Sequence, residues 1–302
     1  MLDWFLYISF RVIYQALGFL PHRLVVGLFG FVWLALFKLL PRLRRTIETN
    51  IRIVFPAESE QWRRQLVAKH AKEMGRLTAD IIRLPSLDAD WMTRNVRLKG
   101  TDAYLEAHKT RGVLVASGHL GSFELLGHVT GLMGGPVAAV ARRFKSERLN
   151  SWWERIRSAS GNTIIDRNGA FKKILRTLRA NTSVAVLFDQ NVKRKHAEFV
   201  PWFSELGATT RAMAIASIQT DCPIFIASIS YGKDGLYEVW YEELNIWELR
   251  RDTEMPDEEK TREITARISE AFCERIKLFP EGWFWTHRRW KTRPTEEEAS
   301  LY

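Results

Sequence analysis

A chain of 302 residues, 46% of them hydrophobic, is long enough to bury one large core with a smaller appendage. Its net charge of +10 and pI near 9.7 call for an anionic partner without naming it. Its two cysteines, Cys222 and Cys273, exclude a disulfide framework, lack metal-ligand spacing and fit buried thiols in a reducing compartment.

The first forty residues are the compositional outlier. Trp4 to Leu20 is apolar apart from Ser9, Arg11 and Gln15, and Leu24 to Leu40 is apolar apart from Lys38. Neither run is a clear transmembrane helix. Lys38 lies near an end where it can snorkel, so the second run suits either a spanning helix or a hydrophobic hairpin packed on the body or lying in the interface. Asp3, with no lysine or arginine ahead of the apolar run and no small-residue cleavage site after it, argues against a cleaved signal peptide. Arg42, Arg44, Arg45 and Arg52 follow, which by the positive-inside tendency leaves the remainder on the cytoplasmic side and near anionic headgroups.

Glu58 to Arg83 reads as a long amphipathic helix ending near Pro85. Beyond it, apolar runs predict strands near 112–117, 137–141, 162–166, 183–188, 223–230 and 236–241, with helical segments between most of them. This alternation predicts an α/β fold, a mixed sheet covered by helices, whose last two strands form a hairpin around Gly232 to Gly235. Met255 to Lys277 predicts a C-terminal helix.

The richest chemistry lies in RGVLVASGHLGSFE, Arg111 to Glu124. Val113 to Val115 read as a buried strand, and Gly118 and Gly121 relax the backbone around His119. On one regular helix His119 and Glu124 would stand about 140° apart, so they converge only with the histidine in the turn and the glutamate in the next helix. Such a pair suits a general base: the carboxylate fixes the imidazole tautomer while the other ring nitrogen takes a proton from a hydroxyl.

This segment resembles the first signature of the lysophospholipid acyltransferase superfamily. Further segments resemble the late acyltransferases of lipid A biosynthesis, the lauroyl and myristoyl transferase family: PEGWFWTHRRWKTRP from Pro280 to Pro294, GNTIIDR from Gly161 to Arg167, VLFDQN from Val186 to Asn191, DCPIFIASIS from Asp221 to Ser230 and RRTIETNIRIVFP from Arg44 to Pro56. The resemblance runs through essentially the whole chain in the family's order. It implies a glycerol-3-phosphate acyltransferase-like fold, with residues 1–41 a hydrophobic helical membrane anchor and 42–302 the acyltransferase domain. It also implies a bacterial inner-membrane location with that domain on the cytoplasmic face.

The implied reaction moves an acyl chain from the thioester of an acyl carrier protein, as co-substrate and with no cofactor, to a hydroxyl of an anionic glycolipid, a lipid A precursor. His119 would act as base and Glu124 would support its imidazolium. The resemblance adds Asp189 and an arginine, Arg157 or Arg155, with Arg157 favoured. Arg142, Arg143 and Arg167 follow expected strands and suit an acceptor phosphate, and Gln190 joins them as a substrate-binding residue. His128 has no cysteine or second carboxylate at ligand spacing, so no metal is expected. The basic and aromatic residues of WTHRRWKTR, Trp285 to Arg293, interleave as in a single-strand-binding surface, yet no recognition motif accompanies them and no nucleic-acid partner is expected. Lys193, Arg194 and Lys195 suit either a carrier protein or a solvated loop. Other acceptors remain open, such as a phosphatidylinositol mannoside or another lysolipid. The lack of a G-x-S-x-G elbow weighs against a serine hydrolase, and a noncatalytic membrane adaptor would tolerate loss of His119.

Overall fold

The computed structural model describes residues 2–295 and 297–302. Two apolar helices, α1 (Leu2–Gly18) and α2 (His22–Leu39), meet at Pro21, which cannot continue the first and opens the second. Helices α3 (Pro41–Val54) and α4 (Glu60–Arg83) follow, the latter capped where the Ser59 hydroxyl accepts from the Trp62 N–H at 3.1 Å.

Helix α2 lies antiparallel along α4. Its start is joined to Asp80 through His22 Nε2 at 2.8 Å, and near its end Phe37 stacks on His70 with ring centroids 5.4 Å apart. Between these points the backbones touch: a Cβ on Gly75 would stand 2.5 Å from the Gly30 nitrogen and the Val26 carbonyl oxygen. Helix α2 is therefore packed on the body and is no free appendage. Gly75→Val is expected to lower stability by roughly 1–3 kcal/mol in denaturant unfolding, because backbone must move to admit the side chain and the small gain in helix propensity does not offset that. Much of the apolar surface of α1 and α2 is left uncovered, with Phe5, Phe19, Leu24, Phe31 and Leu39 all exposed.

The body continues with α5 (Ala89–Asn95), β1 (Val96–Lys99), α6 (Thr101–Thr110), β2 (Leu114–Ser117), α7 (Phe123–Leu132), β3 (Val137–Ala141) and α8 (Glu147–Ser158). Then come β4 (Thr163–Asp166), α9 (Ala170–Arg179), β5 (Ser183–Leu187), a separate antiparallel hairpin of β6 (Ala197–Trp202) and β7 (Glu205–Thr210), and α10 (Ala212–Thr220). The last elements are β8 (Ile224–Tyr231), β9 (Tyr237–Glu243), α11 (Trp247–Arg251) and α12 (Asp257–Leu278).

Seven strands form one sheet in the order β1-β9-β8-β2-β5-β3-β4. Every pair is parallel except the β8–β9 hairpin, so the sheet is mixed, as the sequence predicts. All six expected strands and both long helices are present within a few residues. Strands β1, β6 and β7 were not anticipated: VRLK is a short, largely exposed edge, and β6 carries Pro201.

Central strands are buried on both faces, which is why they read as continuous apolar runs. Leu114 and Ala116 face a core with Ile264 and Phe272 of α12, whereas Val113 and Val115 face Leu125 and Val129 of α7 and Ile156 of α8. The C-terminal aromatic segment is also internal: Trp285, Arg289 and Trp290 are fully buried, Arg289 lying 4.1 Å from the Trp202 ring centroid. Arg288 and Lys291 of the same segment remain exposed.

Candidate active site

The parallel register brings the chemistry together. Ser117 pairs with Leu187 across β2 and β5, so the residues two steps beyond each strand, His119 and Asp189, emerge side by side. Likewise Ala141 pairs with Asp166 across β3 and β4, and the next residues are Arg142 and Arg167. These groups gather at the carboxyl ends of parallel strands, the usual ligand edge of such sheets.

Gly118 makes the approach possible, since a Cβ there would collide with the Phe272 ring and stand 2.8 Å from Asp189 Cγ. Gly121 takes a positive φ of 60°, turning the chain into α7. The segment 280–290 straps this turn in place. Gly121 N–H donates to the Gly282 carbonyl at 2.9 Å, and Phe284 N–H donates to the His119 carbonyl at 3.0 Å.

His119 Nδ1–H donates to Asp189 Oδ1 at 2.8 Å, and the His119 backbone N–H donates to Asp189 Oδ2 at 2.9 Å. Trp283 Nε1–H completes the cradle at 3.0 Å. Burial opposes charge on Asp189, but the histidine and these donors together hold its carboxyl below the ordinary range. Burial likewise disfavours the His119 cation, yet the Asp189 charge and hydrogen bond, with the Glu124 charge adding, raise its pKa above the usual imidazole value. The Nδ1–H tautomer leaves Nε2 as the free base, within 3.3 Å of the Gln190 amide nitrogen, which donates to it.

Here the structure corrects the sequence reading. His119 sits in the turn and Glu124 in the first turn of α7, as the spacing requires, but the carboxylate hydrogen-bonded to the imidazole is that of Asp189. Glu124 instead receives a two-pronged hydrogen bond from Arg157, its Nε at 2.9 Å from Oε2 and its Nη2 on Oε1. The reason is geometric: the register aims Asp189 at Nδ1, while α8 carries Arg157 onto the start of α7. This also separates the two candidate arginines, since Arg155 is exposed on another face of α8.

A cavity of about 380 Å³ opens at His119 between the sheet and helices α7 and α8. Its walls include Val115, Leu126, Ala139, Ile156 and Leu187, and its inner end reaches Val137, Thr130 and Tyr241. From Arg142 to Val137, five residues along β3, the depth is about 16 Å at roughly 3.3 Å per residue. Glu124, Arg142, Arg157, Arg167 and Gln190 stand among its lining residues with His119. Arg142 and Arg167 have no ion-pair partner among the described residues. Arg143 is directed elsewhere, pairing with Glu147 and, at 3.9 Å, with Glu154.

Sequence reasoning gave no role to two groups behind the site. Trp283 cradles Asp189, and His287 Nε2 accepts the Asn191 N–H at 2.9 Å, fixing the loop that carries Asp189 and Gln190. Burial above all, helped by the Arg289 charge, pushes His287 down to about 4, so it stays neutral as an acceptor. The quoted PEGWFWTHRRWKTRP segment contained both residues, but only the fold shows that it straps the turn. His128 Nε2–H donates to the Leu87 carbonyl at 2.7 Å, which accounts for that histidine structurally.

A carboxylate-bound histidine at the mouth of a largely apolar cavity, on an α/β sheet, suits proton transfer to or from a group held beside an apolar chain. Residues 1–292 match the family described as bacterial lipid A biosynthesis acyltransferases, and the chain belongs to that family. It is 27% identical over 259 residues to the lipid A biosynthesis palmitoleoyltransferase of Escherichia coli, covering 84% of this chain and 80% of that protein. The lauroyltransferase of the same organism is 24% identical over 270 residues, covering 85% and 82%. The phosphatidylinositol mannoside acyltransferase of Mycolicibacterium smegmatis is 22% identical over 240 residues, covering 78% and 75%. A solved structure, the 1-acyl-sn-glycerophosphate acyltransferase of Thermotoga maritima, aligns at a TM-score of 0.40 and 12% identity, over 85% of this chain and 98% of that one.

Proposed function

We propose that the protein transfers a fatty acyl chain from the thioester of acyl carrier protein to a hydroxyl of an anionic lipid A precursor, with His119 as general base. The observation that carries this reading is the His119 ring, its Nδ1–H on Asp189 and its Nε2 facing an apolar cavity. The acceptor hydroxyl displaces the Gln190 amide from Nε2 and gives its proton to that nitrogen as its oxygen attacks the thioester carbonyl. The carbonyl electron pair moves onto oxygen, where the released Gln190 amide and the Arg157 guanidinium supply donors. Collapse expels the carrier's thiolate, and the proton on His119 passes to that sulfur. Asp189 balances the imidazolium throughout, and the Glu124 charge adds to it.

The acyl chain occupies the cavity, while Arg142 and Arg167 take acceptor phosphate, a guanidinium offering two parallel donors. The exposed apolar face of α1 and α2 rests in the cytoplasmic leaflet of the inner membrane. Helix α2 meets the length criterion for a span, but α4 is fastened along it and carries Arg64, Lys69 and Lys72, so an interfacial position avoids drawing those charges into hydrocarbon.

The test is transfer from labelled acyl carrier protein, beside acyl coenzyme A, to a tetraacylated, Kdo-bearing lipid A precursor and to a phosphatidylinositol mannoside. Product from the carrier donor on the lipid A precursor supports the reading. Product on the mannoside alone would reassign the acceptor, and product from coenzyme A alone would reassign the donor.

Gly127 gives a graded prediction. It lines the cavity from α7, and a Cβ there would meet nothing within 4 Å. Gly127→Leu is expected to cut use of long acyl chains by roughly tenfold or more while sparing short ones, since overfilling costs about 1–3 kcal/mol. Competition between donors of different chain length reads this out directly.

A further inference from the structure

A second cavity, of about 520 Å³, lies between the C-terminal half of α2, helix α3 and the N-terminal half of α4. Its floor is apolar, with Leu34 and Val67 among the lining, and its rim carries Lys38, Arg44, Arg52 and Arg64. Arg63 also lines it, but its Nη2 is committed to the Phe55 and Pro56 carbonyls at 3.2 and 2.8 Å. Against these five cations stand two lining acids, Glu48 and Glu60. The acids hold the rim loosely: Arg44 to Glu48 is 3.7 Å and Arg64 to Glu60 is 4.0 Å, with all four side chains well exposed. Lys38 and Arg52 have no ion-pair partner among the described residues.

The groove adjoins the open apolar surface. Phe31 and Leu39 of α2 are 72% and 75% exposed, and Lys38 stands about 20° round the helix from Phe31, on the groove side. Resting on the reading that this face lies in a membrane, we propose that the groove binds one anionic phospholipid. An acyl tail lies over Leu34 and Val67, and the phosphate meets the guanidinium groups of Arg44, Arg52 and Arg64. An apolar floor under an excess of loosely paired cations matches a molecule with a hydrocarbon tail and an anionic head. An amphipathic acidic helix of a partner protein would satisfy rim and floor alike, but the exposed apolar surface beside the groove favours a lipid.

The site is separate from the catalytic one. The groove shares no lining residue with the cavity at His119. Its occupant is held in addition to the acyl chain that the cavity at His119 takes.

The experiment is native mass spectrometry of the full chain in neutral micelles titrated with phosphatidylglycerol, phosphatidylcholine or inorganic phosphate, beside pelleting with phosphatidylglycerol-containing vesicles. One retained phosphatidylglycerol per chain is expected, with no retention of phosphatidylcholine and no competition by phosphate. Arg44→Gln/Arg52→Gln/Arg64→Gln and the plugging variant Ala68→Trp should each weaken retention at least tenfold with an unchanged melting midpoint. Equal retention of both lipids, displacement by inorganic phosphate, undiminished retention in folded variants, or capture of apo acyl carrier protein by the groove instead would each overturn the site. Pelleting reads the membrane attachment independently: native protein that fails to pellet contradicts that attachment, whereas pelleting without a discrete retained lipid contradicts only the groove.

Discussion

Asp189→Asn is expected to lower kcat by roughly 10²–10⁴-fold, the usual range for lost general-base catalysis, with little change in KM. Three donors converge on the native carboxylate: the His119 N–H, His119 Nδ1–H and Trp283 Nε1–H. Asparagine offers one acceptor oxygen and turns its amide hydrogens toward one of those donors. The imidazole then loses the partner that favours Nδ1–H, and the Nε2 lone pair that removes the hydroxyl proton is no longer secured. The pH profile should move as well. As the proposed base, His119 acts only when deprotonated, and its pKa is raised, so native activity is expected to climb with pH through a value above that of free imidazole. Without the Asp189 charge, burial acts on the imidazole with less opposition, and the acidic limb of the residual activity shifts to lower pH. A loss below tenfold with an unmoved limb would show that Asp189 is only a structural carboxylate.

His119→Ala carries the other large effect, again roughly 10²–10⁴-fold in kcat for transfer from acyl carrier protein. Residual activity would come from substrate positioning and the oxyanion donors alone. Because Asp189 acts through His119, the two losses should not add: His119→Ala/Asp189→Asn is expected to be no slower than His119→Ala by more than a few-fold. Steady-state rates of the two single variants and the double variant decide this. Multiplicative losses would mean that Asp189 contributes by a route independent of the histidine. Undiminished product in His119→Ala would remove the histidine from the chemistry.

The parts of the site that follow from local pattern were legible in the sequence. Apolar runs marked β2 and β8 because strands buried on both faces need them, alternation marked β9, and Gly118 and Gly121 marked the turn because no other residue fits there. Strand order together with the register of β2 on β5 and of β3 on β4 brings His119 beside Asp189 and the strand ends before Arg142 and Arg167 together. Strand order is a long-range property, and nothing between residues 119 and 189 encodes it locally. The sequence therefore paired His119 with the nearer carboxylate, Glu124, which α8 claims for Arg157. For the same reason Arg143 read like its neighbour Arg142, although the chain directs it to Glu147. Trp283 and His287 carry no local signal of a role, since only folding brings their segment against the turn at His119.

The central claim is that Asp189 is the hydrogen-bonded partner of His119. Titration of the His119 ring by ¹⁵N NMR tests it most directly, using native protein, Asp189→Asn and Glu124→Gln. The native ring should appear as the Nδ1–H tautomer with a pKa above that of free imidazole. The sign follows for stability: a raised pKa means the protonated ring favours the fold fully below the unfolded imidazole value, a contribution lost as pH rises through the folded value. Asp189→Asn should lower that pKa and disturb the tautomer. Glu124→Gln should lower it less and leave the tautomer in place, because its carboxylate acts only through space. The reverse pattern, with Glu124→Gln shifting the tautomer and Asp189→Asn leaving it unchanged, would contradict the account.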